Sequence, residues 1–377
     1  MGDLTAKPLR IAVIGGGVGG LATAFFLSAE EGAEVSVFER ERTHGVHSSG
    51  RSAEILRAAI EQPFTAKLAL RSGEMLRDPA QAGLHGESSF VDDRGLFVLT
   101  SAAGTPGWLT VHQDERSVNE IQLADLASIA PHFRPAGERC FHFPICGRID
   151  TARLLASLAR GAAERGVAIR RGVSDAVPEV RGSRITGVRI GNEFMPFDRV
   201  IVAAGAWSRG IGERLGVGVD LRSTRRHMWV ASCASEEAAS RAPIVWDDEA
   251  GFYARPEALP GGGYAWAFSS TDLDEYSPGP DEHGDDGLKY RIDPEVEAAA
   301  YEMARRHLPN EPLERIRAWR GFRDLAPDDR PLLGADDTID GLFWCAGLGG
   351  HGMSVSLGAG EIVAKAALED RRTPATL

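Results

Sequence analysis

Residues 10–20 read Arg-Ile-Ala-Val-Ile-Gly-Gly-Gly-Val-Gly-Gly, and Glu39 follows downstream. Ile11 to Ile14 is a short apolar run of the kind that forms a strand buried on both faces. Gly15, Gly17 and Gly20 then make G-x-G-x-x-G, and Leu21 to Ala29 follows as a helix rich in Ala, Leu and Phe. A second strand, Glu34 to Phe38, ends on Glu39. Strand, glycines, helix, strand and an acidic residue about 20 positions on form the order that a bound dinucleotide requires. Gly15 permits the tight turn, Gly17 lets backbone approach a pyrophosphate, and Gly20 lets helix and strand pack closely. The helix N-terminus offers free N–H groups and a partial positive charge to phosphates. This stretch alone leaves open which dinucleotide binds.

A second glycine turn lies near the other end of the chain. Leu342 to Gly347 is an apolar strand that meets Leu348-Gly-Gly-His-Gly-Met353, and a helix of small residues runs from Ser354 to Leu368. Here too a helix N-terminus can face a cofactor. Arg199 to Trp207 is a further buried strand that runs into a glycine turn.

The remaining elements must position these turns. A polar loop, Arg40 to Ser52, follows Glu39, and a helix is expected from about Ser52, with Glu54, Ile55, Leu56, Arg57 and Ile60 on its faces. Pro63 ends that helix or opens the next, Phe64 to Leu76. Phe90 to Leu99 reads as a strand pair turning at Asp92–Gly95, and Leu123 to Ile129 as a short helix. Asp150 or Thr151 caps a helix that runs to Arg165, with Gly166 as its stop. Val167 to Ile169 and Val173 to Val177 read as strands, the latter leading to a hairpin through Arg181–Ser183. Leu221 to Ser270 alternates like antiparallel strands, and Pro294 to Leu308 reads as a helix. Ser277 to Gly287, rich in Gly, Asp and Pro, is the best candidate for a mobile surface loop. The fold class expected is α/β: a Rossmann-like dinucleotide domain (1–85, 140–215 and 320–377) interleaved with an α+β substrate domain built on an antiparallel sheet (86–139 and 216–319).

Composition narrows the partners. The 377 residues allow two domains of ordinary size. A hydrophobic share of 43% and a charged share of 25% are normal for a soluble globular protein. The net charge of -12 argues against a nucleic-acid partner. Nothing near the N-terminus resembles a signal peptide, and no apolar run is long enough to span a bilayer. Cys140, Cys146, Cys233 and Cys345 fit no zinc spacing, so no metal site is expected, and reduced thiols in a cytoplasmic protein are the better reading.

Four stretches carry a resemblance to a known family: the N-terminal fingerprint with Glu39; His47-Ser-Ser-Gly-Arg-Ser52; Val200 to Trp207; and Gly347-Leu-Gly-Gly-His-Gly352 with Gly358 and Glu361 beyond. Together they resemble the flavoprotein family of D-amino acid oxidases and dehydrogenases, which includes glycine oxidase, monomeric sarcosine oxidase and D-arginine dehydrogenase. The resemblance covers nearly the whole chain. It implies FAD as cofactor, with Gly15, Gly17, Val18 and Gly20 at the pyrophosphate and Glu39, followed by Arg40, at the adenosine ribose. It implies Ser48, Ser49, Gly50, Arg51 and Ser52 at the phosphates or the isoalloxazine edge, and Val173 against the adenine. It places Ala204, Gly205 and Trp207 over the ribityl side, and Gly349, Gly350, His351, Gly352 and Met353 at the flavin pyrimidine ring.

The family oxidises a C–N bond alpha to a carboxylate by hydride transfer to flavin N5. An arginine fork suits the carboxylate because it bonds both oxygens in one plane. Arg323, in Gly-Phe-Arg, matches the family position that binds the carboxylate. Arg57 lies near a sarcosine oxidase arginine of the same role, and Arg225 or Arg226 corresponds to a substrate-side arginine of the D-arginine dehydrogenase branch. Tyr253 is a candidate hydroxyl over the substrate, against a strand tyrosine that only packs its ring. His351 is a candidate at the active-site wall. Ile55 and Ile60 stand where D-arginine dehydrogenase has a His and a Tyr, which implies an apolar wall and another substrate. Glu87 falls where that branch has an acidic residue for cationic side chains.

The sarcosine oxidase branch activates oxygen with a lysine on the strand matching Gly263 to Phe268, where this chain has none. That favours a dehydrogenase over an oxidase; the electron acceptor (a quinone, an electron carrier or oxygen) stays open. Cys345, within a buried strand, is a poor candidate for flavin attachment. The rival readings are an FAD-dependent 2-hydroxy acid dehydrogenase similar to L-2-hydroxyglutarate dehydrogenase, and a flavin-binding subunit without catalysis.

Overall fold

The strand Leu9–Ile14 lies at the middle of a six-stranded sheet, and its four C-terminal residues are fully or nearly fully buried. The computed structural model describes residues 7–101, 106–111, 118–271, 274–279 and 292–369. In that sheet Leu9–Ile14 pairs in parallel with Ala33–Glu39 on one side and Arg199–Val202 on the other. Ala168–Arg171 extends the first side, and Leu342–Ala346 extends the second, both in parallel. Leu332–Ala335 closes the edge antiparallel. Parallel strands of this kind need both faces covered, which explains their continuous apolar sequences. The helices Val18–Leu27, Thr151–Glu164 and Gly352–Glu369 supply one cover through Leu21, Phe25, Leu154, Leu158 and Leu357. Burying each side chain of this size stabilises the fold by about 1.5–3 kcal/mol. Small residues set the helix spacing: a Cβ on Gly360 would sit 2.6 Å from the Ala22 Cβ. The opposite face packs on a three-stranded antiparallel sheet, Ala176–Arg181, Arg184–Ile190 and Glu193–Pro196, through Ile185, Val188 and Trp344.

The second large sheet has nine strands among the described residues and is mostly antiparallel. Arg222–Ala231 pairs with both Tyr264–Ser269 and the long strand Arg315–Leu325. Phe252–Ala258, Ile244–Asp247, Leu96–Thr100 and Arg139–Phe143 continue the order. Two of the domain borders drawn from the sequence, at 140 and 320, fall inside strands of this sheet. No described helix is long and apolar enough to cross a membrane.

Several local expectations are met. Pro63–Arg77, Leu123–Ile129, Thr151–Glu164 and Pro294–His307 are helices, and Asp150 caps the third by accepting the Arg153 N–H. Three are corrected. No helix starts at Ser52: Glu54 adopts φ 58°, and Ile55–Leu56 pairs with Gly147–Arg148. The left-handed residue breaks any helical run, and the Ser354 hydroxyl takes the place of helical partners by donating to Ile55 O and accepting the Arg57 N–H. Phe90 and Leu99 do not form a hairpin. Leu96–Thr100 pairs instead with Arg139–Phe143, because Asp92 binds the segment before it to Arg148 through backbone and side chain. The 221–270 region is also interrupted by a helix, Glu236–Arg241, capped by Ser235. The expected loop at 277–287 lies outside the described residues from 280 onward.

Candidate active site

Between the two large sheets runs a cavity of about 830 Å³. At one end lies the glycine fingerprint. Gly15 adopts φ +113°, and a Cβ there would sit 2.3 Å from the Ala203 carbonyl oxygen, so the turn admits only glycine. Gly17 stands at the N-terminus of Val18–Leu27, and its missing Cβ would meet only the Ser49 hydroxyl. Ser49 Oγ accepts the Val18 N–H at 2.9 Å and ties the 40–52 loop to the helix start. Glu39 is buried at the end of its strand. One carboxylate oxygen accepts the Gly16 N–H at 2.6 Å and the other the Glu41 N–H at 2.8 Å. Burial pushes this carboxyl above the usual range, and the two N–H donors oppose that shift. Val173 lines the cavity beside it, its N–H donating to the Glu39 backbone carbonyl.

The middle of the cavity is walled by aromatic and cationic groups. The Arg40 guanidinium lies over the Trp207 ring at 4.7 Å, and the His47 ring lies 4.5 Å from it. Trp207 Nε1 donates to Gly279 O. His47 Nε2 is 2.8 Å from Glu41 Oε1; burial pulls its pKa down despite that carboxylate. Ala204 and Gly205 line the cavity at the end of Arg199–Val202. Ser48, Ser49, Arg51 and Ser52 do as well.

The far end is formed by Gly349–Ser354, by Gly321–Asp324 of the long strand, and by Arg57, Arg226, Met228, Trp246 and Tyr253. Arg323 lies so close over Gly350 that a Cβ at 350 would sit 2.6 Å from its Cζ and Nε. Arg57 stacks on Trp246 at 4.2 Å and bonds Asp248 at 3.3 Å, while its buried Nε has no hydrogen-bond partner. Arg226 donates to the Thr271 carbonyl at 3.1 Å. His351 sits at the N-terminal end of Gly352–Glu369. Burial first, then the positive charges of Arg57, Arg323 and Arg226, pull its pKa well below the usual imidazole value. The ring is therefore neutral at physiological pH.

Most of the residues singled out in the sequence line this one cavity, including Val18, Gly349, Gly350, His351, Gly352 and Met353. Gly20 and Gly50 do not. A Cβ on Gly20 would sit 1.9 Å from Gly15 O, and one on Gly50 2.1 Å from Gly45 O, so both serve backbone packing. Of the two neighbouring arginines, Arg226 lines the cavity and Arg225 stacks on Tyr276. Ile55 lines it, but Ile60 packs against Leu68 and Val355 instead. Glu87 belongs to a surface network with Ser157, Arg153 and Arg160. The Tyr253 ring stacks on Trp246 at 4.4 Å, and its hydroxyl lies 2.9 Å from Met228 Sδ. Cys345 is buried, and its thiol is pushed up to about 11.

Sequence reasoning missed Asp324, Trp246 and the Glu41–His47 pair. Asp324 accepts the Ser223 hydroxyl at 3.0 Å, and burial pushes its carboxyl up to about 7. Strand alternation assigns Asp324 and Arg323 to opposite faces, yet the cavity wraps this strand end and takes in both. Trp246 gave no signal beyond an apolar strand.

These features fit FAD. Each Glu39 oxygen keeps a lone pair for a ribose hydroxyl after accepting one backbone N–H. The cradle that a Cβ at Gly15 would fill lies next to a helix N-terminus suited to a pyrophosphate. Gly15, Gly17, Val18, Ser48, Ser49 and Glu39 could hold the adenosine end, and Gly349–Met353 the ring.

Comparison with known proteins points the same way. A family model described as DAO, FAD dependent oxidoreductase, matches residues 10–366. The chain is 26% identical over 408 residues to FAD-dependent oxidoreductase domain-containing protein 1 of Bos taurus, covering 95% of this chain and 81% of that protein. Its fold is similar to L-proline dehydrogenase from P. horikoshii, with a TM-score of 0.79, 19% identity, and 97% and 94% of the two chains covered. Glycine oxidase from Geobacillus kaustophilus has a TM-score of 0.76 and 22% identity, with 98% and 97% covered. A family match that spans almost the whole chain, over a cavity built to take the cofactor, makes this protein a member of the DAO family of FAD-dependent oxidoreductases.

Proposed function

We propose that this enzyme oxidises the C–N bond alpha to a carboxylate in an amino acid or N-substituted amino acid, working as a dehydrogenase. The observation that carries this reading is the convergence of Arg323, Arg57 and Arg226 on a neutral His351 at the glycine turn. Bound FAD supplies the hydride acceptor, its N5. The chain's part is to hold the substrate so that its alpha hydrogen faces that acceptor at near-attack distance. Arg323 takes the carboxylate in its fork, and its position is fixed by contact with Gly350. Tyr253, Trp246 and Met228 exclude water from the substrate side. His351 stays neutral among the arginines, so it orients by hydrogen bonding and does not store a proton. The N-terminal end of Gly352–Glu369 favours negative charge on the ring.

In this reading the six-stranded sheet holds the cofactor and the nine-stranded sheet supplies the substrate wall. The names of the two structural neighbours, a proline dehydrogenase and a glycine oxidase, support an amino acid substrate. Among the described residues that line the cavity there is no lysine, which supports a dehydrogenase over an oxygen-activating enzyme. The four cysteines are free thiols, in keeping with a cytoplasmic setting.

Anaerobic mixing of the purified holoenzyme with amino acids, N-methyl amino acids and 2-hydroxy acids tests the proposal. Bleaching of the flavin band by an amine substrate is expected. Bleaching by hydroxy acids alone would overturn the amine reading, and bleaching by none of them would favour a subunit without catalysis. Turnover in air, compared with turnover with a dye acceptor, then separates oxidase from dehydrogenase; the dye is expected to be the faster route.

A further inference from the structure

One carboxylate needs one arginine fork. Sequence reasoning treats Arg57, Arg226 and Arg323 as competing candidates for that single role. The fold brings all three to the same end of one cavity, and all three charges act on the same imidazole. Arginines also outnumber carboxylates among the described residues that line the cavity as a whole. This is against the character of the chain, whose net charge is -12. A cationic pocket in an acidic protein focuses the field on a small anion and does not serve solubility.

The arginines are also held differently. Arg323 lies over Gly350 at the glycine turn, where the ring of the cofactor belongs. Arg57 is held by stacking on Trp246 and by ion pairs to Asp248 and Glu61, with a buried Nε donor that lacks an acceptor. Arg226 comes from the adjacent strand, Arg222–Ala231, and is anchored on Thr271 O. An orphaned buried donor costs stability unless a ligand oxygen completes it. Asp248 at 3.3 Å and Glu61 at 3.9 Å pair with one end of the Arg57 guanidinium, and Trp246, Tyr253 and Met228 line the cavity with it, so an anionic ligand group there would complete the Nε donor that these carboxylates leave open.

We propose that the substrate is a dianion with two carboxylates: Arg323 holds the one beside the reacting carbon, and Arg57 with Arg226 holds the second at the other end of a short chain. The proposal rests on the amino acid reading for the identity of the reacting bond, but the dicarboxylate preference can be measured without turnover.

The test is a titration of the holoenzyme with glutarate and with valerate, followed by the shift of the flavin visible bands. The two have the same number of carbons and differ only in a terminal carboxylate against a methyl group. Glutarate is expected to bind at least tenfold more tightly, although the apolar wall alone would favour valerate. A glutarate preference below threefold would overturn the proposal, and one of threefold or more upholds it. R226Q and R57Q should each cut that preference by at least threefold, while R323Q should weaken both ligands together. If neither R226Q nor R57Q changes the preference, the assignment of the second carboxylate fails. FAD content confirms that each variant is folded. Failure of the amine reading looks different: hydroxy acids in place of amines would bleach the flavin while the glutarate preference stood.

Discussion

Arg323 and Gly350 are in contact across the candidate active site: a Cβ on Gly350 would fall 2.6 Å from the Arg323 Cζ and Nε. Gly350 also adopts φ +80°, where a side chain adds strain of about 1–2 kcal/mol. Gly350→Ala should therefore displace the guanidinium without touching the fingerprint end of the cofactor site. Losing a charged hydrogen-bond pair costs about 1.5–3 kcal/mol. Substrate affinity should fall about 10- to 100-fold while FAD content stays near that of the parent protein. Arg323→Ala should show the same pattern. Unchanged affinity in both variants, measured by anaerobic flavin titration, would remove the carboxylate role from Arg323.

The two glycine turns were legible in the sequence because their requirements are local. A left-handed turn at Gly15 and a helix N-terminus behind it are written in consecutive residues. The same holds for the capped helix at Asp150. The path around Arg57 was not legible. It depends on Ser354, which is 297 positions away and replaces helical hydrogen bonds with its own hydroxyl. Asp324 was hidden for a similar reason: only the way the cavity encloses the strand end exposes both faces of Arg315–Leu325 to one site. Long-range satisfaction of backbone groups has no periodicity to read.

Glu39 should control cofactor affinity rather than chemistry. Its two oxygens already accept the Gly16 and Glu41 N–H groups. In Glu39→Gln the NH₂ end cannot accept, so a ribose hydroxyl donating to that atom loses a charged acceptor. The expected loss is about 1–3 kcal/mol, a weakening of FAD binding of about 5- to 150-fold. Fluorescence titration of the cofactor-stripped protein measures it. FAD binding within twofold of the parent value would show that Glu39 does not contact the ribose.

His351 should make acid destabilising. Its folded pKa lies well below the usual imidazole value, through burial and the three arginines. The unfolded chain then binds more protons in the window between the two values, so stability is full above about pH 6.5 and falls as pH drops through that window. His351→Asn lacks this titration. Between pH 7.5 and pH 5.5 the parent should lose more in Tm than the variant does. Equal losses would mean that the imidazole is charged or solvated in the folded protein.

Asp324 should act in the opposite sense. Its carboxyl is pushed up to about 7 by burial, against the opposing hydrogen bond from Ser223. Between the usual carboxylate value, about 3.9, and 7 the folded state binds the extra proton. Stability therefore falls as pH rises through this window, and the penalty is complete above it. Asp324→Asn can still accept the Ser223 hydroxyl through its amide oxygen and carries no charge at any pH. The Tm of the variant relative to the parent should rise steadily from pH 5 to pH 8. A difference that stays flat over this range would show that Asp324 is ionised and solvated, or that Arg323 next to it in the chain has taken its charge. The second outcome would also lower the charge available to the substrate carboxylate, so it should be accompanied by a rise in substrate affinity in Asp324→Asn.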